Sequence, residues 1–260
     1  MNSIQFVDVS TARARGGVRL VVSGAIPSPW SEAAKGLFHM KEIPVLGVRY
    51  RRADEDLAAW TGPRNVPVLL IDDDPPRTGW AEIVTATERM GGRAPLVPSD
   101  TERRVRMFGL INELAGEGGL GWNSRLFMIH GSFTSDGTKG FPLPVAQFLA
   151  PKYGYAAERM AIARDRIVEV LQTFDEILRE SGANGHTYLL GAEPSALDIY
   201  LATFLTPLFG ASEADCPNMR PELRAAFAHL TEQMRTEVTP ALAAHRAQMF
   251  KRHLPWPIML

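Results

Sequence analysis

Residues 18–30 read VRLVVSGAIPSPW. Its first part, Val18 to Ile26, is a short apolar run typical of a buried β-strand. The run ends in Pro27-Ser28-Pro29, after which apolar residues recur at helical spacing. Ser is favoured just before a helix, and Pro suits its first turn. The stretch therefore predicts a strand that leads into a helix, with the Ser28 hydroxyl in the positive field of the free N–H groups at the helix start.

A second segment, Asn65-Val66-Pro67-Val68-Leu69-Leu70, belongs with the first. Since Pro cannot donate to a β-ladder, Pro67 marks the start of a strand, and Val66-Pro67 is a candidate cis peptide. Together the two segments predict a site for an anionic thiol.

Length and composition limit the class of protein. A chain of 260 residues with 45% hydrophobic residues is long enough for two domains. Its net charge of −1 gives no basic surface for nucleic acid. The single cysteine, Cys216, excludes an internal disulfide, and the scattered histidines predict no metal site. No apolar run of about eighteen residues exists, so we expect no membrane segment and a cytoplasmic protein.

The two halves of the chain differ in pattern. Strand and helix signals alternate over residues 1–92, which predicts an α/β layer. Residues 93–99 contain Pro95 and Pro98 and read as a linker. Only helical patterns follow in 100–260, which predicts an all-α domain. The predicted helices cover residues 102–114, 122–129, 156–180, 195–204 and 221–250, with a long loop over 131–144.

This arrangement resembles the glutathione S-transferase superfamily. The resemblance rests on Ser28-Pro29-Trp30 at the first helix and on Val66-Pro67 before the third strand of the predicted α/β half. A third landmark is a buried capping box in the helical half, with Ser195 as N-cap and Asp198 three residues later. The resemblance implies a thioredoxin-like domain followed by an all-helical glutathione-transferase-type domain. It further implies a serine-type, cytosolic, bacterial-like member of the family that forms a homodimer.

The resemblance also implies a chemistry. In serine-type members the hydroxyl that matches Ser28 donates a hydrogen bond to the sulfur of glutathione, and the thiolate attacks a small hydrophobic electrophile in detoxification. The residue that matches Val66, beside Pro67, binds the cysteinyl part of glutathione through its backbone. Trp30 is expected beside this site. A plain N-cap is the alternative role of Ser28, and a strand start is the alternative role of Pro67.

One part of the family pattern is absent. An acidic residue followed by Ser normally holds the γ-glutamyl end of glutathione, and here Gly79-Trp80 takes that place. Trp80 and Glu82 are then candidate binding residues, and Thr78 or Glu82 could replace the missing side chains. The alternative is a non-catalytic ligand-binding or protein-interaction module on the same scaffold. A third reading is an enzyme with a different thiol or carboxylate cofactor.

Three further residues are expected near the second substrate. The resemblance implies that Met107, Ile111 and Trp122, on the first helices of the α-half, line its pocket. Helical spacing alone favours a core role for such residues. The apolar segment 254–260 is expected either to fold over the pocket or to form a contact with a partner.

Overall fold

The computed structural model describes residues 4–51, 54–62, 65–93 and 95–260. A four-stranded sheet comprises β1 (Ile4–Phe6), β2 (Val18–Ser23), β3 (Val45–Tyr50) and β4 (Val68–Ile71), in the order β1-β3-β2-β4. β1 and β2 run parallel to β3, and β4 runs antiparallel to β2. Four helices accompany the sheet: α1 (Val9–Ala14), α2 (Pro29–Met40), α3 (Glu55–Thr61) and α4 (Trp80–Arg89).

The rest of the described chain is helical. Its α-helices are α5 (Thr101–Ala115), α6 (Leu120–Thr134), α7 (Leu143–Tyr153), α8 (Met160–Ala183), α9 (Ala196–Leu205), α10 (Pro221–Met234) and α11 (Pro240–Arg252), with short 3-10 turns at Ala157–Arg159 and Thr206–Phe209. A small mixed sheet followed by a helical domain confirms the predicted fold class, a thioredoxin-like part and an all-helical part. No described helix combines the length and the apolar composition needed to span a membrane.

The central strand β2 explains why residues 18–26 are so apolar. Leu20, Val21 and Val22 are fully or almost fully buried. Val21 belongs to a small cluster under α1 and α3, whereas Leu20 and Val22 belong to the main core on the other face. Because both faces of the strand are covered, alternation between polar and apolar residues is lost.

The main core continues from the sheet into the helical half. α2 packs against α9, and this contact depends on Gly36, where a Cβ would lie 2.8 Å from both Ile199 and Leu254. The predicted capping role of Asp198 at the start of α9 is confirmed. Its carboxylate accepts the Ser195 backbone N–H at 2.8 Å, and also the Ser195 hydroxyl at 2.8 Å and the Leu189 N–H at 3.0 Å.

Several element boundaries differ from those predicted. The predicted loop over 131–144 is wrong at both ends, because α6 continues to Thr134 and α7 begins at Leu143. Pro144 occupies the first turn of α7, where its missing N–H is not needed. The predicted helix over 221–250 is two helices, since the Thr239 side chain caps a new one at the Leu242 N–H. Strand β1 and helices α1 and α7 are also present beyond the predicted elements.

The apolar segment 254–260 folds back onto the α/β half. The Lys35 ammonium donates to the Met259 carbonyl oxygen at 2.9 Å, and the Arg49 Nε donates to the Leu260 backbone oxygen at 2.7 Å. Leu254 and Ile258 are buried. This segment therefore does not cover the cavity described next.

Candidate functional site

A cavity of about 460 Å³ lies between the α/β part and the helical part. Its walls come from the end of β2, the starts of α2 and α4, the segment before β4, and helices α5, α6, α7 and α10. The sequence-predicted site residues that border it are Ser28, Trp30, Val66, Pro67, Trp80 and Trp122. Segments far apart in the chain thus converge on one chamber.

Ser28 occupies the N-cap position of α2, with extended backbone. Its carbonyl oxygen accepts the first intrahelical bond, from the Glu32 N–H at 2.9 Å. Its hydroxyl makes no capping bond, although the residue is 93% buried. The position predicted from the sequence is correct, but the plain capping role is not realised. The hydroxyl borders the cavity at the positive end of the helix, where an anionic ligand is favoured.

Val66 and Pro67 lie on the cavity wall, and the peptide bond between them is cis, as predicted. The pairing of β4 with β2 begins at Val68, which is opposite Val21. Val66 therefore precedes the ladder, and within the described chain its backbone N–H and C=O enter no backbone hydrogen bond. Both groups are available to an extended ligand.

Trp30 connects this wall to the helical half. Its indole N–H donates to the Ala115 carbonyl oxygen at 2.9 Å. Its ring meets Phe204 edge-on, with centroids 5.0 Å apart. Gly121 makes the approach possible, because a Cβ there would lie 2.7 Å from the indole. The fold thus holds Trp30 beside Ser28.

Trp80, the first residue of α4, borders the cavity without filling it. Its ring packs toward the helical half, 6.0 Å from Phe108 and 6.1 Å from Tyr200. Glu82 has a different role, because its carboxylate accepts the Gly79 N–H at 2.9 Å and faces a separate groove. The expectation that Glu82 binds a ligand in this cavity is therefore wrong, because Glu82 does not border it. Thr78, by contrast, borders it.

Met107 and Ile111 do not reach the cavity. Both are fully buried in the main core, because the inner face of α5 packs against α9. The expectation that Met107 and Ile111 line the pocket of the second substrate is therefore wrong. Trp122 does border the cavity, with its indole N–H donating to the Tyr153 carbonyl oxygen at 3.1 Å and its ring 4.7 Å from that of Tyr153.

Arg125 on α6 is a functional candidate that the sequence motifs do not indicate. It is only 5% exposed and borders the cavity. Its guanidinium lies 5.9 Å from the Trp30 ring centre and 5.6 Å from that of Phe141. Burial lowers the pKa of the guanidinium, and burial raises the pKa of the neighbouring Tyr153 phenol. The phenol is therefore neutral near pH 7, and it leaves the arginine charge without an anion.

Comparison with known proteins agrees with this architecture. Residues 155–247 match the family model described as the glutathione S-transferase C-terminal domain. A glutathione S-transferase domain-containing protein of Marinobacter aquaeolei VT8 superimposes with a TM-score of 0.61 at 16% identity, over 90% of this chain and 98% of that one. The chain has the glutathione S-transferase fold. No curated protein matches the sequence.

Two further structures share the glutathione S-transferase fold with this chain. A glutathione S-transferase of Methylobacillus flagellatus KT, crystallised with glutathione bound, has a TM-score of 0.58 at 18% identity over 91% of this chain and 96% of that one. A beta-etherase, LigF, of Sphingobium sp. strain SYK-6 has a TM-score of 0.56 at 16% identity over 89% of this chain and 99% of that one. At such identities the likeness concerns the fold.

A second cation borders the cavity in this glutathione S-transferase fold. The Lys152 ammonium, near the end of α7, donates to the Asn65 amide oxygen at 2.8 Å and lies 5.6 Å from the Tyr153 ring centre. Lys152 is exposed, yet partial desolvation of its ammonium, and then the charge of Arg125, lowers its pKa. Its hydrogen bond connects α7 to the segment that precedes Val66.

The sequence does contain a signal for Arg125. It stands alone among apolar and small residues in Leu120-Gly121-Trp122-Asn123-Ser124-Arg125-Leu126-Phe127-Met128. A charge inside such a segment is rarely buried unless it has a structural or functional partner. Among the described residues, no three histidine, cysteine or carboxylate side chains lie close enough to hold a metal ion.

Proposed function

We propose that the protein is a serine-type glutathione S-transferase in which Ser28 stabilises the glutathione thiolate. The observation that carries this proposal is Ser28, a buried residue of the cavity wall whose hydroxyl is free of the capping bond its position would allow. A hydroxyl donor and a helix N-terminus both favour the charged form of a thiol. A thiolate bound there is therefore stabilised from two directions.

The residues around Ser28 fit glutathione. The cysteinyl part pairs with the N–H and C=O of Val66, as an added strand does. At the γ-glutamyl end the usual acidic residue and Ser are replaced by Gly79-Trp80, and Glu82 already occupies the Gly79 N–H. The groups that the cavity offers there are the Thr78 hydroxyl and the N–H of Trp80 at the start of α4. This end is therefore held differently from the family pattern.

The reaction follows from the thiolate. Its sulfur attacks an electrophilic carbon of the second substrate, a carbon–sulfur bond forms, and the leaving group departs with the electron pair of its bond. Ser28 keeps the hydroxyl proton and lowers the energy of the sulfur anion before the attack. Aromatic side chains border the site, and among them Trp30 and Trp122 come from opposite halves of the chain.

The proposal includes the organisation of the molecule. Residues 1–92 form the glutathione-binding domain, 93–99 the linker, and 100–260 the domain that holds the second substrate. In keeping with the family resemblance, the protein is a cytoplasmic homodimer with a role in detoxification. Sedimentation of the purified protein tests the dimer, since a single species of monomer mass contradicts it.

Calorimetric titration with reduced glutathione tests the binding. We expect saturable binding at micromolar to low millimolar concentrations. The Ser28→Ala variant should bind glutathione within a few-fold of wild type but lose about a hundredfold in conjugation rate, the loss typical of one removed donor to a developing or bound anion. The exposed Ser99 provides the matched control, and Ser99→Ala should behave as wild type.

The thiolate itself supplies a second readout. Ultraviolet titration of bound glutathione should give a thiol pKa below the ordinary value of about 8.5, and Ser28→Ala should return it toward that value. Equal thiol pKa values in both proteins would contradict the role of Ser28. No binding of glutathione would favour the non-catalytic module, the alternative suggested by Gly79-Trp80 in place of the acidic residue and Ser.

A further inference from the structure

The part of the cavity formed by the helical half carries an unbalanced positive charge. Its charged lining residues are Arg125, Lys152 and Arg220, and no described carboxylate side chain borders the chamber. Arg220 is exposed and pairs with Glu222 at 3.1 Å. Arg125 and Lys152 form no ion pair within the described chain. Among the described residues, the buried Arg125 and the exposed Lys152 therefore border the cavity without a counter-charge.

The environment of Arg125 is that of a preformed site for an anion. A buried guanidinium without an anion is costly, and such a charge is normally paired. Its guanidinium lies 5.9 Å from the Trp30 ring centre and 5.6 Å from that of Phe141, and its polar neighbours within the described chain are the Met128 sulfur, at 3.9 Å, and the neutral Tyr153. Its planar fork of donors matches a carboxylate. An anionic group of a ligand would supply the missing partner.

The remaining walls define the body of that ligand. Aromatic side chains line much of the same cavity, and their flat faces suit a flat, unsaturated molecule better than a branched one. The aromatic residues that border the cavity are Trp30, Tyr50, Trp80, Trp122, Phe141, Phe148 and Tyr153. Phe148 is 42% exposed and stands on the same helix as Lys152.

We propose that the second substrate is an aromatic carboxylic acid whose carboxylate is bound by Arg125 and Lys152. The ring then lies among the aromatic walls, with the reacting carbon toward Ser28. This inference rests on the proposed function in treating the acid as the electrophile that glutathione attacks. The binding of the acid itself needs neither glutathione nor a reaction.

Calorimetry on the full chain without glutathione tests the site directly. The probes are nitrobenzoate and nitrobenzamide, which share a ring and differ in charge. We expect wild-type protein to bind the acid at least about tenfold more tightly than the amide, a difference typical of one charge-assisted contact. Arg125→Met and Lys152→Met should each lose most of that preference and retain the amide affinity. Lys139→Met, an exposed control outside the cavity, should keep it.

Equal affinity of wild type for acid and amide would overturn the inference, as would an unchanged preference in both cavity variants. If Arg125→Met does not fold, as judged by circular dichroism, the test rests on the preference for acid over amide in Lys152→Met and in the conservative Arg125→Lys. A further titration measures the affinity of wild type and of Arg125→Met for glutathione. If Arg125→Met weakens glutathione binding as much as acid binding, the arginine holds a carboxylate of glutathione and the assignment to the second substrate is wrong.

The reaction provides an independent comparison. With glutathione present, chlorodinitrobenzoate and its methyl ester each lose chloride as the carbon–sulfur bond forms. The acid should show the lower KM in wild type, and Lys152→Met should raise the KM of the acid about tenfold, several times more than it raises that of the ester. Loss of turnover in Ser28→Ala with intact acid preference would support both proposals. Acid preference without any glutathione binding would refute the proposed function alone.

Discussion

The indole N–H of Trp30 donates to the carbonyl oxygen of Ala115 at 2.9 Å, across 85 positions of sequence. Ala115 is the last residue of α5, so its carbonyl lacks a partner within the helix. One bond thereby satisfies a helix end in the helical half and orients the ring that stands two residues after Ser28. The geometry of the proposed thiolate site depends on this contact between the two parts of the chain.

Trp30→Phe tests that contact. The substitution keeps an aromatic ring but removes the N–H, so we expect the free energy of unfolding to fall by about 1 kcal/mol, the usual net value of one hydrogen bond. Urea denaturation measures it. Trp256→Phe is the control, because Trp256 is 43% exposed and its change should stay within about 0.5 kcal/mol. Equal losses in the two variants would contradict the role assigned to the bond.

Gly121→Ala should destabilise the protein. A Cβ at this position would lie 2.5 Å from Phe204 and 2.7 Å from Trp30, so the rings must move, and we expect a loss of about 1–3 kcal/mol. Gly109→Ala offers a matched control inside another helix. No atom lies within 4 Å of its added Cβ, and better helix propensity should stabilise the protein by up to about 1 kcal/mol. In thermal unfolding, the melting temperature should therefore fall for Gly121→Ala and rise slightly for Gly109→Ala, each compared with wild type.

Asp198→Ala should be among the most damaging substitutions. It removes a fully buried carboxylate that accepts three hydrogen bonds and leaves the Ser195 and Leu189 donors unsatisfied. We expect a loss of about 3 kcal/mol or more in urea denaturation. The exposed Asp165 gives the comparison, and Asp165→Ala should change stability by less than about 0.5 kcal/mol. A parental denaturation midpoint in Asp198→Ala would refute its capping role.

Binding of the aromatic carboxylic acid should weaken at high pH. Desolvation, and next the charge of Arg125, lowers the pKa of Lys152 below its ordinary value of 10.5, so this ammonium, although exposed, loses its proton earlier than a lysine without those neighbours does. Deprotonation removes a positive charge facing the carboxylate, whereas an arginine keeps its charge over the accessible pH range. Nitrobenzoate affinity, measured without glutathione, should therefore fall as pH rises toward that pKa. Lys152→Met should lack this decline, and a decline identical to wild type would exclude Lys152 as its source.

Local signals in the sequence predict the frame of the proposed thiolate site. Ser28-Pro29 marks a helix start, Val66-Pro67 marks the beginning of a strand and its cis bond, and Ser195 with Asp198 marks a capping box. Each depends on residues at most three positions apart, where chain geometry alone decides what can meet. Helix α7 shows the limit, because Pro144 and Pro151 lie within it and mask its helical pattern.

Only the tertiary structure decides which side chains share the cavity. Helical spacing shows that Met107 and Trp122 both lie on apolar faces, but not that the first enters the core and the second borders the chamber. Arg125 acquires its significance from Trp30 and Phe141, which lie on other segments of the chain. Periodicity defines the apolar face of a helix, whereas the packing of whole elements chooses the partner of that face. The sequence by itself thus determined the helices and strands and the position of the Ser28 hydroxyl at a helix start. The packing of those elements determined which residues line the cavity and hence its positive charge.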